Sequence, residues 1–229
     1  MALYAIGDLH LSFGTDKPMD DFRGWDHYVE RLERNWRALV ESEDTVVIAG
    51  DISWGMSLSE AAADFAFLQS LPGRKLLLKG NHDYWWATRR KMDQFLQDHG
   101  FDSLRILHND AAAVDDTWAV CGTRGWFYDA EADADKRVLN REIGRLHLSA
   151  QEAKKTGLPL VAFLHYPPVF GDSVCEEMVQ ALREEGITRC YYGHIHGAGI
   201  RKAFNGCFRG MELQLISADA LSFVPCRVF

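Results

Sequence analysis

Five short segments of the sequence place oxygen- and nitrogen-bearing side chains directly after apolar runs. Carboxylate, amide and imidazole groups are ligands of divalent Mn, Fe, Co and Zn, and a set without thiolate disfavours a cysteine-type structural zinc site. The segments are Gly7-Asp8-Leu9-His10, Gly50-Asp51, Gly80-Asn81-His82-Asp83, His165 and Gly193-His194-Ile195-His196. The candidate metal ligands are therefore Asp8, His10, Asp51, Asn81, His165, His194 and His196.

Two of these segments pair their polar residues at a spacing of two. Asp8 and His10 are separated by one residue, and so are His194 and His196. In an extended chain, residues i and i+2 face the same side, so each pair can converge on one point. Glycine stands just before a polar residue at positions 7, 50, 80 and 193. We expect these glycines to let the backbone turn sharply and approach an ion without a Cβ in the way.

Each polar segment follows a short apolar or β-branched run. The runs are residues 3–6, 45–49, 76–78, 160–164 and 190–192. Continuous apolar runs of this length are typical of strands that are buried on both faces of a sheet. In open α/β sheets, ligands bind outside the carboxyl ends of the strands. The sequence therefore predicts a site that distant residues form together at a single edge of a central sheet.

Amphipathic stretches separate the predicted strands. Apolar residues recur at helical spacing in residues 29–40, 61–71, 134–155 and 175–185. Strands that alternate with helices predict βαβ connections and a largely parallel sheet. Residues 200–229 contain turn signals between short β-rich runs, and residues 118–121 form another such run. We interpret both regions as antiparallel strands of a second sheet packed on the first, within a single domain of residues 1–229.

The charge and the apolar pattern limit the partners and the location. The net charge is −8 and no run of basic residues occurs, so no nucleic-acid partner is expected, whereas a small phosphorylated substrate is compatible. No apolar stretch approaches the roughly 20 residues of a membrane span, and the N-terminal run is too short for a signal peptide. Scattered cysteines fit a reducing compartment, so we expect a cytoplasmic protein without membrane contact. The oligomeric state stays open.

Taken together, the segments resemble the calcineurin-like metallophosphoesterase superfamily. The family order D-x-H, G-D, G-N-H-D, H and G-H-x-H is present in full between Asp8 and His196. The resemblance implies a four-layer α/β/β/α sandwich, in which two mixed β-sheets are flanked by helices. It also implies two divalent metal ions, with Mn, Fe, Zn or Co as the candidates.

The resemblance further implies a role for each residue. One metal would be bound by Asp8, His10 and His196. The second would be bound by Asn81, His165 and His194, and Asp51 would bridge the two ions. His82 would be a non-ligand histidine that assists at the leaving-group side, and Asp83 would orient it.

These roles predict the hydrolysis of phosphomonoesters or phosphodiesters. Two metals about 3.5–4 Å apart can share a hydroxide that attacks phosphorus, and they can hold both the attacking and the leaving oxygen. Two dications, two carboxylates and a hydroxide leave one net positive charge, which favours an anionic substrate. His82, held by Asp83, would donate a proton to the departing alkoxide.

Other functions are compatible with parts of this pattern. Amidohydrolases also combine a binuclear metal site with H-x-H, but there the motif follows the first strand, whereas here it comes last. A non-catalytic metal-binding scaffold of the same fold would have lost ligands, and every ligand position is filled here. Protein Ser/Thr phosphatases extend the second block to G-D-x-x-D-R-G, which differs from the segment Gly50-Asp51-Ile52-Ser53-Trp54-Gly55.

Substrate-binding residues have a weaker signal. Arg124 follows a predicted strand and is a candidate for binding a phosphate or for forming a surface ion pair. Aromatic residues close to the motif blocks could form a pocket wall, pack in the core or contact a second subunit: Trp54, Tyr84, Trp85, Trp86, Trp126, Phe127 and Tyr128. Residues 12–26 are long for a connection between a strand and a helix, and could cover the site.

Overall fold

The computed structural model describes residues 1–126 and 133–229, in which strands and helices alternate along most of the chain. The strands are β1 (Leu3–Ile6), β2 (Thr45–Ala49), β3 (Arg74–Leu78), β4 (Leu104–Ile106), β5 (Ala112–Val114), β6 (Trp118–Thr123), β7 (Leu160–Leu164), β8 (Val169–Phe170), β9 (Ser173–Val174), β10 (Arg189–Tyr192), β11 (Gly206–Phe208), β12 (Met211–Leu215) and β13 (Cys226–Arg227). The helices are α1 (Tyr28–Leu39), α2 (Leu58–Ser70), α3 (Arg89–Asp98), α4 (Asp133–Lys154) and α5 (Glu176–Glu184), and a short 3-10 helix spans Gly197–Lys202.

The first sheet has the strand order β13-β1-β2-β3-β4. Strands β1 to β4 run parallel, with Ile6 opposite Ile48 and Ile48 opposite Leu77. Strand β13 is antiparallel to β1 at the edge. Every residue of β1 and β2 is buried, as expected for apolar runs covered on both faces.

The second sheet has the strand order β11-β12-β10-β7-β6-β5 and is largely parallel. Its inner four strands run parallel, and only the edge strands β5 and β11 are antiparallel to their neighbours. Residues 118–121 lie in the second sheet as predicted, but β6 is antiparallel to β5 on one side and parallel to β7 on the other. Helix α4 connects β6 to β7, and a crossover of this length joins parallel neighbours. Strand β13 also differs from the prediction, because it joins the first sheet.

Three hydrophobic clusters define the layers. Tyr4, Ile6 and Ile48 pack with residues of α1, α2 and α3 on one face of the first sheet. The other face packs directly on the second sheet, where Leu3, Ala5 and Val47 meet Val161 and Phe163. The far side of the second sheet is covered by α4 and α5. The order helix, sheet, sheet, helix confirms the predicted four-layer sandwich.

The helices agree with the periodic stretches, apart from one that was not predicted. Helices α4 and α5 each begin and end within one residue of the predicted bounds. Helix α3 was missed, although Thr88 at its start accepts a hydrogen bond from the Lys91 amide, a common helix-start signal. No helix in the described ranges is both long and apolar enough to cross a membrane. The assignment of residues 1–229 to a single domain stays a prediction.

The two sheets meet at the carboxyl ends of their strands. The Gly7 amide, after β1, donates a hydrogen bond of 2.7 Å to the Ile216 carbonyl, after β12. His165 Nδ1, after β7, lies 3.1 Å from the Ala49 carbonyl oxygen of β2. Three polar segments thus follow strands of the first sheet, and two follow strands of the second. The expected edge of one central sheet is in fact the shared edge of two.

Candidate metal centre

The seven predicted ligands come together at this shared edge in two groups. In the first group, ligand atoms of Asp8, His10 and His196 all lie within 4.8 Å of one another. In the second group, ligand atoms of Asp51, His165 and His194 lie within the same limit. Residues that are up to 188 positions apart in the sequence are therefore adjacent in space, because five strands end at the same place.

Asp51 lies between the two groups. Its Oδ2 atom is 3.8 Å from His10 Nε2 of the first group and 3.6 Å from His165 Nε2 of the second. The side chain is almost completely buried. A carboxylate oxygen within reach of nitrogen atoms on both sides is placed where it could lie between two ions.

Asn81 belongs to the second group. Its Oδ1 atom lies 2.6 Å from His165 Nε2 and 2.9 Å from His194 Nδ1. One amide oxygen and two imidazole nitrogens therefore face one another across a small gap, and each of the three atoms can bind a metal ion. Such mutual facing of acceptors and imidazole nitrogens is the arrangement that a shared cation would require.

The backbone turns sharply at the ligands themselves. Asp8, His10, Asp51 and His194 have φ values of 59°, 47°, 50° and 73°, in the left-handed region that residues with a Cβ rarely adopt. Strained conformations of this kind persist where surrounding structure holds them, and they cluster at functional sites. The strand ends therefore impose an unusual local geometry on four of the seven candidate ligands.

Two of the motif glycines are required by space. A Cβ at Gly80 would overlap the carboxylate and the amide of Asp51, and a Cβ at Gly193 would overlap the carboxylate of Asp8. The next residue holds Gly193 close to Asp8, because the His194 amide donates hydrogen bonds of 3.0 Å to both oxygens of the Asp8 carboxylate. The expected close approach thus brings backbone against the ligand carboxylates.

The two carboxylates are held in different electrostatic surroundings. Burial raises the pKa of Asp8, but the nearby imidazoles of His196, His165 and His10 outweigh it and bring the pKa well below the ordinary value. Burial and the charge of Asp8 raise the pKa of Asp51. Two carboxylates this close resist carrying two charges without an added positive charge.

Burial keeps most of the histidines neutral. It lowers the pKa of His10 and of His194 to about 3, and it also lowers the pKa of His165. Metal ions bind the neutral imidazole, so a site that suppresses protonation is already in the form that a metal needs. The electrostatics and the oxygen and nitrogen donors therefore fit divalent cations of the Mn, Fe, Co or Zn type.

His196 has a further partner that the sequence analysis missed. Its Nδ1 atom lies 2.9 Å from Asp219 Oδ1, whose second oxygen accepts a hydrogen bond from the Gly197 amide at 2.9 Å. Its Nε2 atom is buried without a hydrogen-bond partner in the described chain and lies 3.4 Å from Asp8 Oδ1. Burial opposes protonation, yet Asp8 and Asp219 raise the pKa of His196 to about 10. Asp219 thus turns the free nitrogen towards the first group.

His82 lies beside the ligands and is not part of either group. Its ring centre is 4.7 Å from that of Trp54 and 5.8 Å from that of His10. The hydroxyl of Tyr84 is 3.5 Å from His82 Nδ1, and the His82 amide donates a hydrogen bond of 2.7 Å to Asp51 Oδ1. The side chain is half-buried, and burial lowers its pKa. This position is open to a molecule bound at the ligands.

Asp83 has different partners from those expected. Its carboxylate accepts hydrogen bonds from the amides of Gly80, Asp51 and Ile52 at 2.6–2.9 Å, and from Trp85 Nε1 at 2.9 Å. Within the described chain it makes no hydrogen bond to the His82 ring. The expectation that Asp83 orients His82 is therefore corrected: Asp83 is fully occupied in holding the two loops that carry Asp51 and Asn81.

Arg124 forms an ion pair with a buried carboxylate. Its guanidinium group lies 3.3 Å from the buried carboxylate of Glu142 and over the Trp126 ring. Its carbonyl oxygen accepts hydrogen bonds from the His165 and Tyr166 amides. The ion-pair alternative for Arg124 therefore matches the structure, and its contact with a phosphate stays a prediction.

The predicted aromatic set divides between the core and the site. Trp85 is buried in the core, and Trp86 and Trp126 pack against core clusters. Tyr84 is exposed beside His82, and Trp54 stacks on His10. Phe127 and Tyr128 lie outside the described residues.

Comparisons with known proteins agree with this geometry. The family model described as calcineurin-like phosphoesterase matches residues 1–198. The Gene 66 protein of Mycobacterium phage D29 is 40% identical over 81 residues, which cover 35% of this chain and 40% of the phage protein.

Solved structures share the fold at low sequence identity. The protein of unknown function AQ665 from Aquifex aeolicus has 16% identity and a TM-score of 0.54, over 99% of this chain and 95% of that one. Phosphopantetheinyl hydrolase (PptH) from Mycobacterium tuberculosis has 13% identity and a TM-score of 0.57, over 100% of this chain and 95% of that one.

Proposed function

Because this chain belongs to the calcineurin-like phosphoesterase family, we propose that it is a metal-dependent hydrolase of phosphoric esters. The matched residues 1–198 include all seven candidate ligands. The observation that carries the proposal is the position of the Asp51 carboxylate, within 3.8 Å of imidazole nitrogens from both ligand groups. That position suits a carboxylate that bridges two ions.

The two groups define the proposed ligand sets. Asp8, His10 and His196 would hold one ion, and Asn81, His165 and His194 would hold the other. Asp51 would contribute to both. Two divalent ions in such a site bind phosphoryl oxygens and lower the pKa of a coordinated water, so that it can attack phosphorus near neutral pH.

The protein itself contributes orientation and a dry, fixed set of dipoles. The His194 amide holds both oxygens of Asp8, and Asp83 holds the amides around Asp51. These contacts fix each carboxylate before a substrate arrives, so little reorganisation accompanies the reaction. The backbone strain at the ligands is compensated by the same contacts.

His82 is the proposed proton donor to the leaving group. It stands beside both ligand groups without belonging to either, and it has an exposed edge. Burial lowers the pKa of His82, which makes its protonated form a stronger acid towards a departing alkoxide. Tyr84, rather than Asp83, is the side chain near its Nδ1 atom.

The test combines metal analysis with a panel of esters. We expect two divalent ions per purified chain and hydrolysis of phosphomonoesters or phosphodiesters in the presence of manganese. The variant Asp51→Asn should lose both the metal and the activity, because it removes the charge placed between the two groups. The matched control Asp102→Asn, at an exposed position, should retain both.

Two outcomes would contradict the proposal. Stoichiometric metal without hydrolysis of any ester would favour the metal-binding scaffold instead. Full activity of Asp51→Asn after removal of metal with a chelator would contradict the role of the metal centre.

A further inference from the structure

A cleft of about 380 Å³ opens beside the first ligand group. Its lining includes His10 and His196, which belong to that group, and His82, the proposed proton donor. A phosphoric ester with its phosphorus at the ligands would therefore extend its leaving group past His82 into this cleft. The inference below rests on the proposed function, and it concerns what the cleft accepts.

Two tryptophans form fixed walls of the cleft. Trp54 stacks on His10, with ring centres 4.8 Å apart and an angle of 23° between the planes. Trp25 is buried and packs edge-on against His10 and at a tilt against His196, with ring centres 5.8 Å apart in each pair. Because both indoles pack on metal-ligand candidates, the apolar wall and the ligand group keep one relative position.

Residues 12–26 complete the cleft. This segment contributes Met19, Phe22 and Arg23 to the lining, in addition to Trp25. Phe22 is 58% exposed, although large apolar side chains are usually more buried. An exposed phenylalanine at the rim of a cleft that leads to the ligands is available to cover a bound group.

The charges around the cleft disfavour a cationic leaving group. Arg23 lines the cleft, and Lys17 Nζ lies 4.9 Å from the centre of the Trp54 ring. Neither cation has a carboxylate partner among the described residues, and no lining residue of the cleft is acidic. An aromatic cage for a quaternary ammonium group needs ring faces that other cations leave free, and this cleft already has a cation over Trp54.

We propose that the cleft binds the leaving group of the substrate and selects one that carries a planar aromatic ring without positive charge. A ring of this kind can stack on the exposed Phe22 and pack beside Trp54, which gives affinity beyond the area that it buries. The cleft volume is at the lower end of the range for sites that enclose small organic groups. An aryl ring and a nucleobase share this chemistry, and the experiment separates them.

The experiment compares alkyl phosphates, so that leaving-group reactivity is matched. The substrates are propyl phosphate, 2-phenylethyl phosphate, adenosine 5′-monophosphate and phosphocholine. We expect kcat/KM for at least one of the two aromatic substrates to exceed that for propyl phosphate by about tenfold or more. The better of the two shows whether the cleft takes an aryl ring or a base. Equal values for all four, or the highest value for phosphocholine, would overturn the proposal.

A pair of variants in the same segment locates the effect. Phe22→Ala should reduce several-fold the ratio of kcat/KM for the aromatic substrate to kcat/KM for propyl phosphate, because a propyl group has no ring to stack on Phe22. Phe13→Ala is the matched control: Phe13 is 53% exposed and lies in the same segment, but it packs on Phe67 and does not line the cleft. An equal loss of preference in both variants would contradict the assignment.

A binding measurement separates this inference from the proposed function. Calorimetric titration of the metal-loaded protein with 2-phenylethylphosphonate and with propylphosphonate, which cannot be hydrolysed, reports on the cleft alone. Tighter binding of the phenyl compound, lost in Phe22→Ala, supports the cleft even if no ester is hydrolysed. Hydrolysis of esters without any such difference would support the proposed function and overturn the cleft.

Discussion

The ligand cluster and the cleft beside it are built in opposite ways. Each ligand of the cluster stands within a few residues of a strand end, and Asp8 and Asp51 are at most 1% exposed. The cleft takes several of its walls from residues 12–26, a segment without regular secondary structure, in which Phe22 is 58% exposed. The two sheets therefore fix the atoms that would do the chemistry, whereas a loop forms much of the surface that would select the substrate.

This difference predicts how substitutions should act. A change in the cluster should affect every ester alike, because all would share the same centre. A change in the part of the cleft that lies away from the ligand groups should alter the ranking of esters. His82 stands where the two regions meet, so its substitution should have a mixed effect.

Among variants that keep their metal, the largest effect is expected for His82→Ala. Loss of a positioned proton donor lowers turnover by about 10²- to 10⁴-fold. The loss should appear with alkyl phosphates, whose leaving groups need a proton, and should be much smaller with p-nitrophenyl phosphate. Metal content should stay at the wild-type value, because His82 is not a proposed ligand. Steady-state kinetics on both esters and metal analysis measure these outcomes.

The control for this variant is His99→Ala, at an exposed position at the end of α3. It should behave like the wild type with both esters. Unchanged turnover of an alkyl phosphate by His82→Ala would show that His82 is not the proton donor. The position of His82 would then no longer indicate that the leaving group lies in the cleft.

The next effect is expected for Gly193→Ala. The added Cβ would overlap the Asp8 carboxylate, which must move or lose its hydrogen bonds from the His194 amide. Displacement of a catalytic centre by about 1 Å can cost about 10²-fold in rate. All esters should be affected equally, because the change lies in the cluster. Kinetics on the four alkyl phosphates would show this uniform loss.

Gly144→Ala is the matched control for the added methyl group. Gly144 lies within α4, and a Cβ there would meet no atom within 4 Å. It should retain full activity and gain slightly in stability, since alanine favours a helix more than glycine does. A Gly193→Ala variant that changes the ranking of esters, without a general loss, would show that the two regions are not separate.

The sequence revealed the cluster because its signal is local. A buried strand, a turn and a polar residue occupy adjacent positions, so each of the seven candidate ligands could be proposed from its own neighbours. Their shared location followed from the general rule that ligands lie at the carboxyl ends of strands. The sheet that each strand joins depends on pairing with distant residues, so it has no local signal. Strand β6 pairs with β7 across the whole of α4, and its parallel direction was missed.

The same argument explains the residues that were missed. Asp219 follows β12, so the signal of a polar residue after an apolar run was present. It was not recognised because β12 was assigned to an antiparallel arrangement, which would place its end elsewhere. The role of Asp83 and the walls of the cleft depend on side-chain directions in loops, and no periodic pattern encodes these. Of the residues that line the cleft, the sequence pointed to Trp54 as a possible wall and to residues 12–26 only as a segment that could cover the site.

A smaller effect is expected for Asp219→Asn, which tests a support of the cluster. Its carboxylate holds His196 Nδ1 at 2.9 Å and so directs Nε2 towards Asp8. Substituting such a supporting group costs about 10- to 100-fold in metal affinity. The loss should affect one of the two ions, because Asp219 contacts a ligand of the first group only. Calorimetric titration with manganese would resolve the two binding steps.

Asp172→Asn, at an exposed turn between β8 and β9, controls for the loss of one negative charge. It should bind both ions as the wild type does. Equal weakening of both ions in Asp219→Asn would show that Asp219 acts through general charge rather than through His196.

The smallest effect concerns Asp64, which joins the two regions. Its Oδ1 accepts a hydrogen bond of 2.8 Å from the Phe13 amide, at the start of the loop segment, and Ser53 donates its hydroxyl to Oδ2. Burial raises the pKa of Asp64 from its ordinary value of 3.8 to about 6, against the opposing effect of these two hydrogen bonds. A carboxyl group whose pKa is higher in the folded state binds its proton more tightly there. Its contribution to stability is therefore present below about pH 4 and is lost as the pH rises to about 6.

Asp64→Asn removes this titration and keeps a side chain of the same shape. Relative to the wild type, its melting temperature should rise as the pH increases from 4 to 6 and stay constant above pH 7. Each unit of pKa shift corresponds to about 1.4 kcal/mol, and each kcal/mol to about 2–4 °C in a chain of this size, so the change should be several degrees. Differential scanning calorimetry of both proteins across this range gives the difference directly, and the exposed Asp102→Asn controls for the lost charge. A difference that runs in the opposite direction would mean that the Ser53 and Phe13 hydrogen bonds outweigh burial, and that the loop is tied to the cluster by the charged form of Asp64.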